Sequence, residues 1–116
     1  MKMKRDESCG KVSQEIKEKI DSVESLLKEY GISKKTLNGK LENVEIYCGD
    51  EEFIKRSGIN IPVITVLIRN PLEYKKLAEE FETKPKSKTY GAGIGALSET
   101  GFEYEGVKYI TLALQG

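Results

Sequence analysis

Residues 61–81 read Ile-Pro-Val-Ile-Thr-Val-Leu-Ile-Arg-Asn-Pro-Leu-Glu-Tyr-Lys-Lys-Leu-Ala-Glu-Glu-Phe, and they constrain the fold more than any other stretch. Residues 63–68 are apolar apart from Thr65 and mostly β-branched. A half-solvated strand would alternate with polar residues, so this run predicts a strand covered on both faces. Asn70-Pro71 ends the strand and opens a helix. Asn caps free amides, Pro suits the first helical position, and Glu73 stands where a capping-box acid stands. Tyr74, Leu77, Ala78 and Phe81 form one apolar stripe that lies back on a sheet.

The chain around this unit reads as one α+β domain over residues 12–116, behind a polar, disordered arm over 1–11. Val12, Ile16, Ile20, Val23, Leu27 and Tyr30 recur at helical spacing; Ser13 caps that helix and Gly31 stops it. Val44, Ile46 and Cys48 alternate with Glu45 and Tyr47, as in a half-buried strand whose Cys48 is an inert core thiol. Asp50 caps a short helix over 51–57, closed by Gly58. Residues 102–104 and 107–114 form a hairpin about Glu105-Gly106. The expected architecture is a mixed or mainly antiparallel sheet of four or five strands packed with two main helices. The element order is similar to that of profilin-like domains such as roadblock proteins, a fold-level likeness.

Composition narrows the function more by exclusion than by indication. The 116 residues have no histidine, which removes Ser-His-Asp and Cys-His catalysis and histidine-ligated zinc or iron within this chain. Formal net charge is zero, so no global field draws in nucleic acid. No apolar run reaches membrane-span length, and the first residues lack the apolar core of a signal peptide, so the expected location is the cytoplasm, with no membrane partner. Lys and Glu dominate the charges while Gln is scarce, a bias of heat-adapted proteins that an AT-rich genome would also favour through Lys. Cys9 and Cys48 are too few for a disulfide framework, and both are expected to remain free thiols. No cofactor or metal site is expected; the acids Asp50, Glu51 and Glu52 suit a helix N-terminus.

Three stretches are candidates for binding. Lys84, Lys86 and Lys88 precede Tyr90, Gly91, Gly93 and Gly95, which reads as an anion-responsive loop: lysines supply attraction and glycines let backbone amides approach. The same lysines also suit a guarded sheet edge. In the hairpin, Phe102, Tyr104, Val107 and Tyr109 share one face, while Ile110, Leu112 and Leu114 share the other. The aromatic face is expected to be a homodimer interface, because a small domain has few elements left to cover it. Residues 33–41, Ser-Lys-Lys-Thr-Leu-Asn-Gly-Lys-Leu, follow Tyr30-Gly31-Ile32 and resemble the turn and recognition helix of helix-turn-helix proteins; Asn38-Gly39 equally suits a hairpin turn. The reading is a small non-enzymatic binding or regulatory module, homodimeric, taking an anionic ligand at residues 84–98. A nucleic-acid-binding protein using Lys34, Lys35, Lys40 and the Lys84–Lys88 cluster is the alternative. A histidine-free enzyme is the third.

Overall fold

The computed structural model describes residues 3–33, 43–91 and 93–114. The elements in chain order are β1 (Met3–Arg5), a 3-10 turn (Glu7–Gly10), α1 (Gln14–Ser33), β2 (Val44–Cys48), α2 (Glu51–Ser57), β3 (Ile64–Ile68), α3 (Pro71–Glu80), β4 (Lys86–Tyr90), β5 (Leu97–Tyr104) and β6 (Val107–Leu114). The strands form one mixed sheet of six in the order β1-β2-β3-β6-β5-β4. β1 runs parallel to β2 and β3 parallel to β6, while the other neighbours are antiparallel. The α+β class holds, with six strands where four or five were expected and three α-helices among the described residues.

Local chemistry explains the middle of the chain. Asn70 Oδ1 accepts from the amides of Leu72 at 2.9 Å and Glu73 at 3.2 Å, with Pro71 in the first turn of α3. Asp50 accepts from Phe53 N at 3.1 Å to start α2, and Gly58 closes it at φ 71°. The β5–β6 turn has the register that a two-residue loop dictates: Tyr104 with Val107, Glu103 with Lys108, Phe102 with Tyr109. α1 differs from expectation at its end, since it runs through Gly31 to Ser33.

The core lies on one face of the sheet. Ile20, Val23, Leu27 and Tyr30 of α1 and Tyr74, Leu77 and Ala78 of α3 bury against Val44, Ile46, Ile64, Val66, Ile68 and Tyr109. Among the described residues, helices therefore cover β3 on the Ile64–Val66–Ile68 side only. Leu67, on the opposite side, is 5% exposed without belonging to that core, because β2 and β6 crowd it from both flanks.

The N-terminal segment corrects two expectations. Of the segment expected to be a disordered arm, Met3–Arg5 extend the sheet and Glu7–Gly10 form the 3-10 turn. Met3, Lys4 and Arg5 pair with Val44, Glu45 and Ile46, and Asp6 N then donates to Ile46 O at 2.8 Å. The arm's charges have partners on α1: Arg5 bonds Asp21 at 2.5 Å and Glu24 at 2.6 Å, which pushes the guanidinium pKa up. The 3-10 turn then lays Cys9, 4% exposed, over the end of β2, where it forms a disulfide with Cys48 at a Cα separation of 5.0 Å. The two cysteines are thus not free thiols. Ser8 Oγ accepts from Cys48 N at 3.0 Å, fastening the same junction.

A carboxylate holds this end of the molecule to α1. Ser13 Oγ accepts from Ile16 N at 3.4 Å as the helix cap, while its own N–H and hydroxyl donate to Glu51 at 2.8 Å each. These two bonds, backbone first, hold the Glu51 carboxyl below its ordinary 4.5. The contribution is therefore complete above pH 4.5 and is lost as pH falls through the lower folded value. Glu51→Gln should be less stable than wild type at neutral pH, with the gap closing on acidification below 4.5. Urea midpoints across the acid range check this; a gap that stays constant would remove Glu51 from the account.

Candidate functional site

The strand registers sort every sheet residue onto one of two faces. The helix-covered face carries Val44, Ile46, Ile64, Val66, Ile68, Val107, Tyr109, Phe102 and Tyr104. The opposite face carries Glu45 and Tyr47 of β2, Thr65 and Leu67 of β3, Lys108, Ile110 and Leu112 of β6, Leu97, Glu99 and Glu103 of β5, and Lys86, Lys88 and Tyr90 of β4. None of these enters the core built by α1 and α3. Tyr47, Leu112 and Tyr90 are 36%, 37% and 52% exposed. This open face is the candidate functional surface.

The expected aromatic interface is not on it. Phe102, Val107 and Tyr109 are buried in the chain's own core at 7%, 1% and 1% exposure. α3 covers them: Phe81 stacks on Tyr104 at 4.1 Å and meets Tyr109 edge-on at 5.7 Å, while Tyr74 lies 5.4 Å from Phe102. Tyr74 Oη also donates to Tyr109 O at 3.0 Å, and burial pushes the Tyr109 phenol up to about 12. The helix stripe at Tyr74, Leu77 and Phe81 thus faces the aromatic side of the hairpin, and the aliphatic side is the one left open.

Polar groups on the open face are ordered. Arg69 bonds Glu45 at 3.1 Å, and Tyr47 Oη donates to Glu45 at 2.5 Å. Both lower the Glu45 pKa, the tyrosine more, and the same bond raises that of Tyr47. Lys108 reaches Glu99 at 3.6 Å. Gly101 lets this face lie flat, since a Cβ there would meet Ile110 Cγ2 at 3.2 Å.

The Lys84–Gly95 stretch is a strand and a turn in succession. β4 is the sheet edge, exposed at all five residues, with Lys86, Lys88 and Tyr90 on the open face and Ser87 and Thr89 on the other. Gly91, Gly93 and Gly95 make the β4–β5 connection at φ 89°, 72° and 90°, a backbone that L side chains rarely adopt. Ile94 at its tip is 93% exposed. An extended strand rises about 3.4 Å per residue, so Lys86 lies roughly 17 Å before Gly91. The lysines line an edge and the glycines turn its end; the structure does not gather all three lysines round the glycine amides. Lys34, Lys35 and Lys40, and the stretch resembling a recognition helix beyond Ser33, lie outside the described residues.

A cleft of about 750 Å³ opens beside the disulfide, lined by Ser8, Lys11, Ser13, Cys48, Glu51 and Lys55 among others. Its Glu51 carboxylate is already engaged by Ser13 and by Lys55 at 3.3 Å. Among the described residues no group of three or more cysteine or acidic side chains is placed to hold a metal ion, and no helix is long and apolar enough to cross a membrane. No family model, characterised protein or solved structure matches the chain.

The open face and the disulfide are the features that sequence reasoning missed. The alternation of Tyr47 with Ile46 and of Leu112 with Thr111 marked which residues share a face; it carried no sign of which face the helices would take.

Proposed function

We propose that this chain is a non-enzymatic binding module that associates with a second copy of itself through the open face of its sheet. The observation that carries this reading is the apolar stripe of Ile110 and Leu112 on the face that the described helices leave open, beside the close-packed Leu67 and continued by Tyr47, Leu97 and Tyr90. Apolar and tyrosine side chains ringed by charges are the make-up of an interface core with a polar rim. A two-fold pairing is the commonest way for one such patch to be buried. Nucleic acid fits this face less well, because Glu45, Glu99 and Glu103 stand among its lysines and would face phosphates. Anion recognition belongs instead at the edge, where Lys86 and Lys88 point the same way.

Sedimentation tests the pairing. The wild type should be dimeric at roughly 30 micromolar, near the range populated by an association of about 6–8 kcal/mol. Leu112→Lys should be a folded monomer, because Leu112 is 37% exposed and outside the core cluster, so its replacement leaves the core intact while placing a charge in the proposed contact. A wild type that sediments as a monomer at that concentration refutes the pairing.

A disulfide supports cytoplasmic residence only together with a heat-adapted source. Stable disulfides are rare in the cytosol of mesophiles but occur inside hyperthermophile cells. Cytoplasmic residence and a heat-adapted source therefore stand together for this chain, and a melting temperature in the mesophile range would count against both.

A further inference from the structure

We infer that the free edge of β4 takes up an extended acidic segment of a partner protein as a further strand of the sheet. The edge borders the face proposed for self-association and shares Tyr90 with it. Among the described residues β4 pairs with β5 along one side only and has no sheet neighbour on the other, so about half its amides and carbonyls point outward from the sheet. All five of its residues are exposed.

Charge selects the occupant. Among the described residues no salt bridge engages Lys84, Lys86 or Lys88. Gly101 lies opposite Lys86, and Glu99, opposite Lys88, already pairs with Lys108. Two copies of this chain meeting edge to edge would bring their lysine rows together, so the lysines close the edge to self-pairing. The same row attracts a strand with acids at every second position. On an antiparallel partner, residues facing Tyr90, Lys88 and Lys86 in that order would be apolar, acidic, acidic, each separated by one residue that faces away. Main-chain bonds would supply affinity and the alternate side chains specificity, as in other strand-addition complexes.

The probe is the capped peptide Val-Thr-Glu-Thr-Glu-Thr, compared with Val-Thr-Glu-Glu-Thr-Thr, which has the same charge but puts its acids on opposite faces. The first should bind at least about tenfold more tightly and slow amide exchange in residues 86–90. K86E/K88E, an exposed pair of substitutions that leaves the core untouched, should lose this binding. It should in turn bind the peptide with both Glu replaced by Lys. Equal binding of the two acidic peptides without amide protection would reduce the effect to ionic attraction and overturn the inference. So would tighter binding of single-stranded DNA, or no peptide binding at low salt. The sedimentation behaviour of the wild type is read separately, so failure here leaves the self-association reading intact.

Discussion

Loss of the Cys9–Cys48 crosslink is expected to cost about 4 kcal/mol and roughly 10–20 °C of melting temperature. The cysteines are 39 residues apart, so the bond removes the loop-closure freedom of a long segment from the unfolded chain. A local cost adds to this one. β1 is only three residues long, and Cys9 sits in the core cluster, so the crosslink holds residues 3–10 against β2. Cys9→Ser with Cys48→Ser should therefore lower the urea midpoint and speed amide exchange first in residues 3–10. Wild type treated with a reducing dithiol should follow the variant. Thiol titration of denatured, non-reduced protein should find no free thiol. Two free thiols, or a melting temperature indifferent to reductant, would sink this account and restore the reading of two independent cysteines.

Phe102→Ala is expected to cost about 3–5 kcal/mol, and the loss should not depend on protein concentration. Phe102 is 7% exposed, with its ring stacked on Tyr109 at 5.2 Å and in edge contact with Phe81 at 6.2 Å. Truncating it leaves a cavity among three rings that α3 and the hairpin hold apart. The tyrosine beside it is less tolerant still. Tyr109 is 1% exposed, so Tyr109→Glu would bury a carboxylate with no cation in that cluster, and the chain should fail to fold. Were these rings an interface between copies, both variants would instead yield folded monomers. Denaturant titrations of Phe102→Ala in the Leu112→Lys background, where the open face no longer pairs, at two concentrations a hundredfold apart separate the cases: coincident curves place the ring in the core, and a shift with concentration places it between chains.

The elements that the sequence predicts well are those whose signals are local. Asn70-Pro71, Asp50 with Gly58, and Glu105-Gly106 each fix a turn or cap through groups within a few residues, and all three stand in the structure. The stripe of α1 likewise appears with its periodic residues buried. Gly31 shows the limit of a local stop signal: α1 continues past it to Ser33. The first ten residues show another limit. Their charge suggested solvent, yet Arg5 finds Asp21 and Glu24 on a helix that lies beside it only after β1 has paired with β2.

The candidate site was legible only as an inventory. The lysines of β4 read from the sequence as either an anion loop or an edge guard, and the structure places them on an edge. The hairpin presented two apolar faces of similar strength. Period-two alternation is symmetric between them, so it identifies which side chains stand together and is silent on which set a helix will cover. That choice was made by the return path of α3, which brings Tyr74 and Phe81 onto Phe102, Tyr104 and Tyr109.

By itself, the sequence determined the units from α1 to α3, the caps of α2 and α3, the turn and register of the terminal hairpin and the absence of any histidine chemistry. The tertiary structure alone decided the parallel pairing of β1 with β2, the disulfide, the covered and open faces of the sheet, and the position of β4 at its edge. The physical division is one of range. Caps, turns and periodicity act over a few residues. Strand order and helix placement are settled by the burial of side chains far apart in the chain, and that burial is a property of the whole packed core.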